Sequence, residues 1–187
     1  MKVSKKIMTV LVVVILSVSL FAGLKPATPE QVAKVTMSAC ALAKNIQTLE
    51  SVDIYVLGDK KVAKEMEKYE GWKVGDLTIK SVKSGNTLPG FRPQILVCGK
   101  NADVEEVKNY CRKNHVLSIG AAPNSCEKGL SLSMYQKFDR GNSNSLSPVK
   151  LMLNLEASLY EEVYWDKSIS LVADNLSSMD YYVHGEL

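Results

Sequence analysis

A chain of 187 residues with 46% hydrophobic side chains is long and apolar enough to fold as one domain around its own core, which excludes global disorder. Its formal charge of +3 is the balance of 23 basic and 20 acidic residues, and Lys2, Lys5 and Lys6 at the extreme N-terminus account for the whole surplus. The remainder is neutral, which argues against a nucleic-acid footprint.

Those lysines precede an apolar run over residues 7–21 that ends in Ala22, Gly23, Lys25 and Pro26. A basic start, an apolar middle and a small-residue exit form the pattern of a secretory signal peptide. Residues 1–22 are therefore expected to direct export to the periplasm, with cleavage after Ala22 or Gly23. An uncleaved anchor is the competing reading, but the run is short beside the roughly 20 residues that a spanning helix takes. No lipobox cysteine follows it. Export would place Cys40, Cys98, Cys111 and Cys126 where disulfides persist, with three connectivities open. The chain has no CxxC, which disfavours a thioredoxin-type motif and a zinc knuckle.

The body of the chain opens with Thr28-Pro29-Glu30-Gln31, the pattern of a capping box with proline at the first helical position, and predicts a helix to about Ile46. Residues 52–57 read as a strand, Gly58-Asp59 as a turn and N-cap, and residues 59–70 as a helix stopped by Gly71. A second strand is expected over residues 77–82, followed by a loop to Pro93 rich in glycine and proline. Residues 94–98 are short and nearly all apolar, as in a strand buried on both faces. A helix over residues 101–113 leads to a strand over residues 115–119. Two period-two stretches follow, with Leu130, Leu132 and Met134 on one face, and then Val149, Leu151, Leu153 and Leu155. From Leu155 the spacing of Leu159, Val163, Ile169, Val172, Ala173 and Leu176 fits a long helix packed on the sheet. The Ser/Asn-rich residues 137–147 read as an exposed connection or flap. The expected fold is therefore α/β, a single-domain three-layer sandwich in which a mixed sheet of about six strands is flanked by helices, over residues 28–176, with a tail at 177–187.

The segments IYVLGD, QILVC, HVLSIG, EKGLSLSMY and VKLMLNLEASLYEEVYWDKSISLVA, in this order behind a signal peptide, resemble the YfiR-like periplasmic family from about residue 34 to residue 173. Asn154, Leu155, Ala157, Val163 and Ala173 fall at matching spacing in its closing strand, helix and leucine-rich end. Three departures stand out. Gln47 to Glu50 replace a Trp-Pro pair, Gly129-Leu130 stands where two glycines are common, and Glu162 stands where the family often has glycine. The resemblance implies a non-catalytic periplasmic regulator. Well-known members hold down an inner-membrane diguanylate cyclase, and so cyclic-di-GMP signalling, by protein contact, and are relieved of that role by stress or redox change. Homodimers and disulfides are features of such members.

Each chemical reading has a plainer rival. His115 would need Cys98 or Cys126 as a nucleophile, and is more simply a structural residue at the start of a strand. His184 lies in the terminal tail and is given no role. Glu161, Glu162 and Asp166 crowd together, but read as the solvated face of a helix with Lys167 rather than as a metal site. Gly58-Asp59 lies where an α/β sheet can bind a ligand, yet without a dinucleotide or Walker motif it reads as a helix cap. The preferred bridge is Cys98–Cys126, since one ends a strand and the other lies beyond the end of the next. Closing that loop is worth about 3 kcal/mol on a chain-entropy basis. Cys40 and Cys111 read as buried thiols. Tyr160 and Tyr164, spaced i to i+4, are the exposed partner-binding candidates; Trp165 is balanced between core and interface.

The expectation from sequence is thus an exported periplasmic adaptor or regulator that contacts an inner-membrane signalling protein, needs no cofactor or metal, and is not an enzyme. A periplasmic small-ligand-binding protein serving a transporter or sensor is the alternative, favoured if the Gly58 and Gly120 loops line a pocket. A thiol enzyme would require a reactive cysteine near His115.

Overall fold

The computed structural model describes residues 24–137 and 149–169. The expected signal peptide, the flap, the C-terminal tail with His184, and the helical positions Val172, Ala173 and Leu176 lie outside the described residues. In chain order the elements are β1 (Leu24–Pro26), α1 (Pro29–Leu42), α2 (Lys44–Gln47), β2 (Ser51–Leu57), α3 (Lys60–Glu67), β3 (Lys73–Val74), β4 (Leu77–Gly85), β5 (Ile95–Cys98), α4 (Val104–Asn114), β6 (Leu117–Gly120), β7 (Leu132–Lys137), β8 (Lys150–Leu153) and α5 (Leu155–Tyr160).

Local chemistry accounts for the helix starts. At α1 the capping box forms in full: Gln31 N–H donates to Thr28 Oγ1 at 3.3 Å and Thr28 N–H to Gln31 Oε1 at 2.8 Å. Asp59, Asp103 and Asn154 cap α3, α4 and α5 through their side-chain oxygens. The single helix expected to run to Ile46 breaks at Ala43, whose extended backbone (φ −84°, ψ 103°) separates α1 from α2.

The sheet is mixed and has eight strands rather than about six. Its parallel part runs β4-β2-β5-β6-β7, with β3 antiparallel on β4 at one end and β8 antiparallel on β7 at the other. The two extra strands beyond the expected set, β1 and β3, are three and two residues long, too short for a period-two pattern to register. A strand has two edges, and β7 uses both: β8 takes one, while the other is shared by β6 over Leu132–Ser133 and β1 over residues 135–137.

Both faces of the sheet are buried. Val52, Ile54 and Val56 of β2 and Ile95 and Val97 of β5 join a large cluster with α1 and α3, while Tyr55, Leu57, Leu96 and Cys98 pack with Val107 and Cys111 of α4 on the other side. This explains why β5 is apolar throughout. In the numbering of the parallel strands alone, the spatial order is 2-1-3-4-5. The order therefore reverses beside β2, and β2 and β5 send their chains to helices on opposite faces. The crevice at such a reversal, beyond the carboxyl ends of the strands, is where open α/β sheets bind ligands.

Candidate functional site

Two surfaces merit attention, at opposite ends of the parallel strands. The first is the ridge that follows β8. Asn154 starts α5 by accepting from Ala157 N–H at 2.9 Å and donates its own amide to Cys126 O at 2.9 Å. The expected long helix ends after Tyr160. Glu162 takes a left-handed conformation (φ 56°), and the chain then returns alongside α1 and α2. Lys44 N–H donates to Tyr164 O at 2.7 Å, Asp166 N–H to Leu42 O at 2.8 Å, and Trp165 bridges Ala43. Trp165 is half-buried against the core and donates its indole N–H to Ser158 Oγ at 2.9 Å, so its core role dominates.

The anchor of the ridge is Glu161. Its side chain was expected on a solvated helical face with Glu162 and Asp166; instead it is 1% exposed. The carboxylate accepts from Ser118 N–H at 2.9 Å and from the hydroxyls of Ser118 and Ser131. The helix stops at Tyr160, well short of the length the spacing implied, and Glu161 turns inward. Burial pushes its pKa up to about 7, against the lowering effects of the serine donors and the Arg112 guanidinium. The same turn reverses the fate of Leu159: expected in the core, it is 66% exposed, beside Tyr160 at 53% and Tyr164 at 56%. The Arg112 guanidinium lies 4.7 Å from the centre of the Tyr160 ring, a cation–π contact that orients the ring. A cleft of about 220 Å³ between Arg92, His115 and Asn45 reaches Val163 in the turn that carries Tyr164.

The second surface is a cleft of about 290 Å³ at the strand-order reversal, lined by Gly58 and Asp59 after β2, Lys60 and Lys61 of α3, Asn86 after β4, and Lys100 and Asn101 after β5. Two glycines let its walls meet. Gly58 has φ +73°, and a Cβ there would lie 2.9 Å from Ala102 N; a Cβ at Gly99 would lie 2.5 Å from that of Asp59. Gly120, by contrast, faces Ser125 rather than this cleft.

The cysteines do not join these surfaces. The expected Cys98–Cys126 bridge is absent, and all four cysteines are free and buried. Cys98 ends β5 and Cys126 follows β6 in the chain, as inferred, but they face different clusters: Cys98 packs with Leu96, Cys111 and Leu130, whereas Cys126 packs with Tyr135 and Met152 and donates its thiol to Met152 O at 3.0 Å. Burial raises the pKa of Cys40, Cys98 and Cys126 to about 12, and that of Cys111 well above its usual value. His115 caps the C-terminus of α4 at the amino end of β6, the opposite end of the strands from Cys98, with Nδ1 3.5 Å from Glu162. The pairing of His115 with Cys98 is therefore geometrically closed.

Among the described residues no group of three or more His, Cys, Asp and Glu side chains is placed to hold a metal ion. In the sequence Glu161 reads as part of a solvated helical face, and Lys100 carries no signal. Glu161 carried a helical phase that the chain abandons one residue earlier, and Lys100 meets Lys60 only through the strand order. No protein-family model matches the chain, and no curated protein matches it.

Proposed function

We propose that this chain is an exported, non-catalytic regulatory or adaptor protein that binds an inner-membrane signalling protein through the ridge of Leu159, Tyr160 and Tyr164. The observation that carries the reading is this exposed trio on a turn fixed from beneath by Glu161, Trp165 and the backbone bonds to α1 and α2. Rigid aromatic side chains give large contact area at small entropic cost, which is why they dominate binding hot spots. The neighbouring cleft at Arg92 and His115 offers a recess for a partner side chain. The resemblance to YfiR-like proteins supports a diguanylate cyclase as the kind of partner, a periplasmic location after removal of residues 1–22, and a helix–sheet–helix layering of the domain.

Capture from a cross-linked envelope fraction tests the reading. The native protein should retain one membrane signalling protein, and Tyr160→Ala with Tyr164→Ala should reduce its recovery by at least about thirtyfold, as for a lost hot-spot residue. Undiminished recovery by the double variant, or recovery of no membrane protein by the native chain, counts against it.

A second reading, small-ligand binding, draws on the cleft at Gly58. The Gly58 half of its expected pair of loops lines a cavity; the Gly120 half is packed against Ser125.

A further inference from the structure

We propose that the cleft beyond β2 and β5 binds the phosphate group of a small, hydrophilic phosphomonoester. This inference rests on the ligand-binding reading and gives it a chemistry. The cleft occupies the reversal of strand order, where the loops after neighbouring strands part toward opposite faces and leave a crevice. Lys60 and Lys61, adjacent at the start of α3, line one side and Lys100, after β5, lines the other; the strand order brings this distant lysine to the pair.

The charge there is unspent. Among the described residues, Lys60, Lys61 and Lys100 have no carboxylate partner. Among the described residues the one carboxylate in the lining is Asp59, which accepts from Lys61 N–H at 3.0 Å and Val62 N–H at 3.2 Å. As the N-cap of α3 it already engages the first amides of the helix, so an incoming anion would meet the ammonium groups rather than bare helix amides. Three lysines against one aspartate leave a surplus of two positive charges, matching a phosphomonoester of charge near −2 at neutral pH.

The lining also selects among anions. Among the described residues it contains no arginine, the residue whose planar fork suits a carboxylate, while lysine serves phosphate as a point charge. Among the described residues it contains no aromatic ring on which a nucleobase could stack. The amides of Asn86 and Asn101 supply neutral donors and acceptors for hydroxyl groups. At about 290 Å³ the space suits a phosphorylated polyol or sugar better than a nucleotide.

The test is amide NMR on the folded protein at fixed ionic strength, titrated separately with glycerol 3-phosphate, inorganic phosphate and glycerol. Glycerol 3-phosphate should give saturable shifts at Gly58, Asp59, Lys100 and Asn101, inorganic phosphate should bind several-fold more weakly, and glycerol should have no effect. Lys61→Gln with Lys100→Gln should weaken the phosphomonoester about a hundredfold, about tenfold for each charge-assisted contact, with the remaining spectrum unchanged because both side chains are exposed. Shifts that persist in the double variant, or inorganic phosphate binding as well as the ester, overturn the proposal. If neither phosphate shifts these amides but an uncharged polyol does, the phosphate assignment falls while ligand binding at the cleft stands; silence from all three removes both.

Discussion

Replacing Glu161 by glutamine should abolish most of the pH dependence of stability between about pH 4.5 and pH 8. Glu161 is buried, and its pKa rises from 4.5 to about 7 on folding, chiefly through loss of hydration. Between those values the unfolded chain has released the proton that the folded chain still holds. Raising the pH therefore favours unfolding, so stability is full below about pH 4.5 and its loss is complete just above pH 7. The interval corresponds to about 3 kcal/mol, at 1.36 kcal/mol for each tenfold change in proton affinity. Glutamine keeps the shape and an acceptor oxygen for Ser118 or Ser131 but cannot ionise. Urea unfolding followed by tryptophan fluorescence, with both proteins measured at each pH, should show the stability of the native chain relative to Glu161→Gln falling by about 3 kcal/mol from pH 4.5 to pH 8. Other carboxylates titrate equally in both and cancel. A difference that stays flat, or that rises with pH, would refute the reasoning: it would mean that three hydrogen-bond donors and Arg112 outweigh burial and keep Glu161 ionised in the fold.

Two further outcomes follow from buried groups. Asn154→Ala removes both the cap of α5 and the donor to Cys126 O; chemical denaturation should show a loss of about 3 kcal/mol, a helix cap and a buried carbonyl left unpaired, while Asn154→Asp should restore only the cap. Free thiols buried with pKa values near 12 expose about a thousandth of the thiolate of an ordinary cysteine at pH 8, so an alkylating reagent should leave the native protein unlabelled for hours and modify all four cysteines in denaturant. Rapid native labelling, or a non-reducing peptide linking Cys98 to Cys126, contradicts the structure.

Elements with strong local signals were legible in the sequence. The capping box at Thr28, the apolar runs of β2 and β5, the amphipathic α3 and α4, and the exposure of Tyr160 and Tyr164 all stand where spacing and cap chemistry put them. Signals that depend on distant partners were not. Ser131 and Ser133 alternate with apolar residues and so read as a solvent face; both are buried, because the sheet is covered on both sides and Glu161 and Pro123 O accept their hydroxyl protons. The run from Leu155 to Ile169 has helical spacing, yet the chain gains more by turning at Glu161 to satisfy the Ser118 and Ser131 donors and by pairing Trp165 with Ala43 than by continuing a helix. Periodicity reports which side chains share a face only while the backbone keeps its period. The lysine cleft was half legible, since Gly58 sat at a strand's carboxyl end, but Lys100 joins it only through a strand order that no local pattern encodes.

The shared edge of β7 has a kinetic consequence. Pro26 pairs with Tyr135, about 110 positions later in the chain, so joining β1 closes a loop spanning most of the domain. The entropy of such closure grows only slowly with length, but it must be met before any of the contacts it brings are formed, and pairings this distant slow folding. While β1 is undocked, β7 retains an open stretch of edge over residues 135–137, able to pair with another chain. A late intermediate of this protein would therefore be vulnerable at that edge, and the three residues of β1 act as its seal.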